Sequence, residues 1–113
     1  MPFISTKTTE ALTARQKDQL SASLEQIAKR CLGKGESWVM TGYEDGCSLH
    51  FRGSSEGCAY VEVKLFGTPA PSACDAMTGE VCQLFAKELG LSPDRIYVAY
   101  YPTDQWGWNG GNF

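Results

Sequence analysis

An internal repeat constrains this chain more than any other feature. Leu20, Leu24, Ile27, Ala28, Leu32 and Gly33 each have a counterpart 57 positions later, at Met77, Val81, Leu84, Phe85, Leu89 and Gly90. The same shift carries Phe3-Ile4 onto Tyr60-Val61 and Val39–Tyr43 onto Ile96–Tyr100. An offset close to half of the 113 residues marks a duplicated supersecondary unit, with copies over about 1–57 and 58–113. Each copy must then fold the same way, and the pair must share one core.

The unit reads as strand–helix–strand. Leu20, Leu24, Ile27, Ala28, Cys31 and Leu32 recur at helical spacing over 13–32, and Thr13 with Gln16 forms a capping-box pattern ahead of them. Gly33 supplies a left-handed stop. The second stripe runs through Met77, Val81, Leu84, Phe85 and Leu89 to Gly90, with Pro69 and Pro71 ahead of it, where proline opens a helix without breaking it. Strands are expected at Phe3–Lys7, Trp38–Tyr43, Tyr60–Phe66 and Ile96–Tyr101. Ser48–Phe51, after the Asp45-Gly46 turn signal, is expected to pair as a hairpin.

A helical crossover makes its flanking strands parallel. Two units side by side therefore predict an α+β fold: a tandem β-α-β repeat with a four-stranded mixed sheet and both helices on one face. Phe3, Val39, Val61, Val63 and Ile96 are expected to face the helices. The other sheet face is partly apolar and has no cover of its own, which predicts burial against further copies of the chain.

Composition narrows the function. One domain is the natural reading of 113 residues, and a net charge of −3 with a pI near 5.0 argues against a nucleic-acid binder, which carries a basic face. No apolar run is long enough for a membrane span, and no apolar stretch follows Met1 as in a signal peptide. Cys31, Cys47, Cys58, Cys74 and Cys82 form no C-x-x-C pair, and His50 is the single histidine, so no metal-ligand spacing exists. They read as reduced thiols packing as small apolar groups.

Met1-Pro2 carries chemistry of its own. Removal of the initiator methionine leaves a proline with a free secondary amine. An α-amine ordinarily titrates near 7.7–8.0, and a buried strand start disfavours its charged form. A neutral amine near pH 7 can act as general base or nucleophile.

Several segments appear in a telling order: Pro2-Phe3-Ile4, Leu32-Gly33-Lys34, Gly53-Ser54-Ser55-Glu56, Ser92-Pro93-Asp94-Arg95-Ile96-Tyr97, and the tail Trp108-Asn109-Gly110-Gly111-Asn112-Phe113. Together they resemble the macrophage migration inhibitory factor family of the tautomerase superfamily, across essentially the whole chain. The resemblance implies a homotrimer and an isomerase of the phenylpyruvate and dopachrome tautomerase type that uses no metal and no cofactor. It assigns Pro2 as the catalytic base for a small aromatic α-keto acid and Lys34 as the holder of its carboxylate. It assigns a backbone amide at Phe66 to the same anchor, Tyr97 to the site of a neighbouring subunit, and Trp106, Trp108 and Phe113 to the pocket wall.

Each role has a plainer counterpart: Lys34 complements a helix C-terminus, Tyr97 packs on the sheet, and Trp106 and Trp108 alternate so as to cover a subunit seam. Departures stand out as well. Ala99 replaces a polar asparagine, Trp106 a smaller aliphatic residue, and Val61 breaks the thiol pair of the best-known members. The resemblance also implies a cytoplasmic protein that can leave cells without a signal peptide. In that case the alternative function is a cytokine-like one, with a cell-surface receptor as partner.

Overall fold

The computed structural model describes residues 1–113, the side chain of Glu36 apart. In chain order the elements are β1 (Pro2–Thr8), α1 (Ala14–Leu32), a 3-10 turn (Glu36–Trp38), β2 (Met40–Glu44), β3 (Ala59–Phe66), α2 (Pro71–Leu89), a second 3-10 turn (Pro93–Arg95), β4 (Ile96–Thr103), and a short terminal hairpin of β5 (Gly107–Trp108) and β6 (Gly111–Asn112). The four long strands form one mixed sheet in the order β2-β1-β3-β4. β1 is parallel to β2 and β3 to β4, whereas β1 and β3 run antiparallel at the centre. This is the expected tandem β-α-β arrangement, with the two copies joined through their first strands.

Both helices form for the reasons visible in their ends. The Thr13 hydroxyl accepts from the Gln16 amide at 3.1 Å, and the Thr13 amide donates back to the Gln16 side chain at 2.8 Å. Gly33 and Gly90 end α1 and α2 at φ 66° and 69°, a conformation in which only glycine is free of a Cβ penalty. The core is the repeat seen in section. Leu20, Leu24 and Ala28 of α1 and their counterparts Met77, Val81 and Phe85 of α2 are all buried against Ile4, Val61, Val63 and Leu65 of the central strands. Burying each large apolar side chain contributes roughly 1.5–3 kcal/mol.

The polar contacts repeat too. Ser21 shares hydrogen bonds with Thr41 and the Tyr43 hydroxyl, both at 2.8 Å, and Thr78 shares one with the Tyr100 hydroxyl at 2.9 Å. Burial pushes both phenols up, that of Tyr100 to about 12. All five cysteines are free; Cys31 donates its thiol hydrogen to Glu80 and is pushed up to about 11, first by burial and then by that bond.

Three local expectations are corrected. Ile4, not Phe3, faces the helices: along β1 the buried positions are Pro2, Ile4, Thr6 and Thr8, and the pleat turns Phe3 to the other face. Trp38 lies in a 3-10 turn rather than a strand, its amide bonded to Gly35 at 3.0 Å. Ser48–Phe51 forms no strand either. The Asp45-Gly46 turn stitches instead to the segment after β1, where the Leu12 amide donates to Asp45 and the Gly46 amide to the Glu10 carbonyl. Phe51 then bridges only to Ser54.

The face opposite the helices carries Phe3, Met40, Tyr60, Phe66, Tyr97 and Tyr101, with Met40 65% and Tyr97 61% exposed. No helix is long and apolar enough to cross a membrane.

Candidate active site

Pro2 opens the central strand β1, opposite Leu65 of β3, and is fully buried. It borders a cleft of about 350 Å3 walled by Phe3, Trp38, Met40, Trp106 and Trp108. The Met1 amine lies at the same place, donating to the Trp38 carbonyl. Burial holds that amine below its ordinary value, and the positive charge of Lys34 lowers it further. Both effects disfavour a cation, so a terminal nitrogen in this position favours its neutral, basic form.

The walls are set by local backbone. The 3-10 turn after α1 aims Trp38 across the cleft, where its ring meets that of Trp108 edge to face, centroids 4.9 Å apart. Such pairs contribute beyond their area by about 0.5–1.5 kcal/mol. Trp108 sits on the terminal hairpin, which reverses at Asn109 and Gly110, both with positive φ. The Phe113 amide bonds to the Trp106 carbonyl at 3.0 Å, and the Phe113 ring packs edge-on against Phe66 at 5.4 Å. The tail is therefore folded over the first-strand end of the sheet.

Lys34 follows the glycine stop of α1, and its Nζ donates to the Phe66 carbonyl at 3.1 Å. The Gly67 amide bonds outward to Thr103 of β4, so the Phe66 carbonyl in the same peptide points the other way, toward the end of β1. The ammonium is thus anchored beside the start of the chain, in an adjoining cleft of about 230 Å3 with Leu65, Phe66 and Thr68.

Of the seven residues singled out from sequence, Pro2, Trp106 and Trp108 share one cleft, and Lys34, Phe66 and Phe113 adjoin it. Tyr97 does not join them. It pairs in register with Tyr60, five residues along β3 from the Leu65 opposite Pro2, about 17 Å away at strand rise. Trp38, Phe3 and Met40 are wall residues that sequence reasoning missed. The available signal was Trp38 as the third tryptophan, four residues beyond Lys34. His50 is exposed and borders a different cavity, with Phe51 and Tyr97. A larger groove of about 440 Å3 follows the outer seam of α1 and α2, but there Arg30 and Glu80 neutralise each other.

The model of the family described as macrophage migration inhibitory factor (MIF) matches residues 1–113. The chain belongs to the MIF family. Its fold superimposes on the crystal structure of Leishmania major MIF2 with a TM-score of 0.95 and 41% identity, covering 100% of this chain and 97% of that one. The MIF of Meriones unguiculatus is 29% identical over 115 residues, 100% of this chain and 99% of its own. A further relative, 28% identical over 94% of this chain and 90% of its own, is a protein of Gallus gallus named D-dopachrome decarboxylase.

Proposed function

We propose that this MIF-family chain is a keto–enol tautomerase of phenylpyruvate-like α-keto acids in which Pro2, freed by removal of Met1, is the general base. One observation carries the reading: Pro2 is fully buried at the edge of an aromatic cleft where burial and Lys34 both hold the adjacent Met1 amine below its ordinary value. Family membership supports a tautomerase-type function in general, and the relative named D-dopachrome decarboxylase carries an enzyme's name.

The substrate carboxylate pairs with Lys34, whose ammonium keeps donors beyond the one given to Phe66. The aryl group lies against Trp38, Trp106 and Trp108. The neutral Pro2 nitrogen takes a proton from the carbon beside the ketone. The C–H electron pair becomes the new C=C bond, the carbonyl π pair moves onto oxygen, and the protonated Pro2 nitrogen passes the same proton to that oxygen; the reverse path returns it to carbon. Atoms and oxidation state are conserved, so positioning and one well-tuned base are sufficient.

Tyr97 enters this scheme through a neighbouring subunit of a homotrimer. Two observations support that: the exposed aromatic sheet face, and the distance of Tyr97 from Pro2 within one chain. Pro2→Gly is expected to lower phenylpyruvate tautomerisation by about a hundredfold or more while the oligomer persists. Intact mass is expected to show Met1 gone from the active protein. Near-normal turnover by Pro2→Gly overturns the assignment of the base.

A further inference from the structure

Arg95 is a buried cation that the proposed reaction leaves unused. It closes the 3-10 turn before β4 and is 9% exposed. Its guanidinium donates to four main-chain carbonyls of a single loop: Nε to Gly57 at 3.2 Å, Nη1 to Phe51 at 3.0 Å, and Nη2 to Ser54 at 3.2 Å and Glu56 at 3.0 Å. The nearby ion pair joins Arg52 to Asp94 at 3.6 Å and leaves Arg95 out. A guanidinium buried without a carboxylate is costly unless its donors are well satisfied, and here they are spent on the shape of the 51–57 loop.

That loop contains a strained reversal. Phe51 and Ser54 exchange both backbone hydrogen bonds, at 2.9 and 3.2 Å, around Arg52 and Gly53 at φ 54° and 74°. Arg95 grips the carbonyls at both ends of this turn. It also lies over the Phe51 ring, 5.4 Å from its centroid, and the Phe51 ring meets that of Tyr97 at 4.7 Å and 61°. The Tyr97 hydroxyl has no hydrogen-bond partner among the described residues, so this ring is what orients an otherwise exposed side chain.

We propose that Arg95 is a positioning residue: by clamping the 51–57 loop it holds Phe51 as the backstop that fixes the Tyr97 ring for a neighbouring subunit's site. The proposal rests on the tautomerase reading for its catalytic consequence but not for its structural one. The relay runs from guanidinium to loop carbonyls, from the loop to Phe51, and from Phe51 to Tyr97.

Incorporation of 3-fluorotyrosine places a fluorine reporter on each of the five tyrosines, and loss of a signal in Tyr97→Phe identifies the one of interest. Arg95→Lys, which lacks the planar fork, is expected to shift or broaden that signal while Tyr43 and Tyr100, half-buried on the helix side, keep theirs. Phe51→Leu retains the carbonyl that Arg95 binds and breaks the last link alone; it is expected to move the same signal even if Arg95→Lys does not fold. With phenylpyruvate, both variants are expected to raise KM about five- to tenfold with kcat nearly unchanged, and to add nothing in a Tyr97→Ala background. An unmoved Tyr97 signal in either folded variant overturns the relay, as does an equal KM loss in the Tyr97→Ala background. No phenylpyruvate turnover by the wild-type protein with Met1 removed defeats the tautomerase reading instead, and the fluorine signal still decides the clamp.

Discussion

Lys34 serves the candidate site in two ways that can be separated by titration. In the proposed reaction it offers a charge to a carboxylate, and it lowers the Met1 amine at the start of the chain, where burial is the larger effect; the Pro2 amine exposed next to it is expected to feel the same two effects. The protonated amine is the inactive form of a general base. Turnover is therefore expected to be present above the amine's lowered pKa and lost as pH falls through it, at a midpoint below the ordinary 7.7–8.0. Lys34→Gln removes the second effect and leaves burial in place, so the acid limb of kcat/KM moves to higher pH without reaching the ordinary value. The same change raises KM by the worth of a charged hydrogen bond, about 1.5–3 kcal/mol. A pH–rate series on both proteins tests this, and an acid limb that stays in place counts against Lys34 as an electrostatic partner of the base.

Among the elements, the two helices are alike in core face and C-terminal stop but not in how they begin. α1 has a complete capping box at Thr13, whereas Ala70 stands at the cap of α2 and makes no side-chain bond. Thr13→Ala is expected to cost about 1 kcal/mol, and Ala70→Ser to recover part of such a sum at the other helix. Thermal melts of the two variants measure this, with opposite shifts as the expected result. The helices and the four-stranded sheet were legible because their core residues recur at one offset, so each copy checked the other. Phe3 was misplaced because two adjacent apolar residues leave strand parity undecided, and only the fully buried partners Val63 and Leu65 settle it for Ile4 and Pro2. Trp38 and Ser48–Phe51 escaped for another reason. Both depend on turns whose partners, the Gly35 carbonyl and the segment around Glu10, are not encoded by any local period. The remaining site residues were legible from the resemblance, not from spacing, because Lys34, Phe66 and Phe113 converge only through tertiary contacts.

At the scale of the whole molecule, the proposed trimer makes each site a joint product of two chains. Pro2→Gly chains keep Tyr97, and Tyr97→Ala chains keep Pro2. Assemblies refolded from an equal mixture are expected to regain sites in which an intact Pro2 meets an intact Tyr97, at about a quarter of the wild-type number if assembly is random. Activity no higher than the mean of the two separate variants would place Tyr97 outside the site. The doubled fold explains why the division is needed: Tyr97 belongs to the second copy and sits at the end of the sheet remote from Pro2. The aromatic cleft has one more consequence. Trp38, Trp106 and Trp108 are all the tryptophans the chain contains, and all three line that cleft. The ultraviolet emission of the unlabelled protein is therefore an optical record of one place, and a ligand entering there is read directly in its colour and intensity.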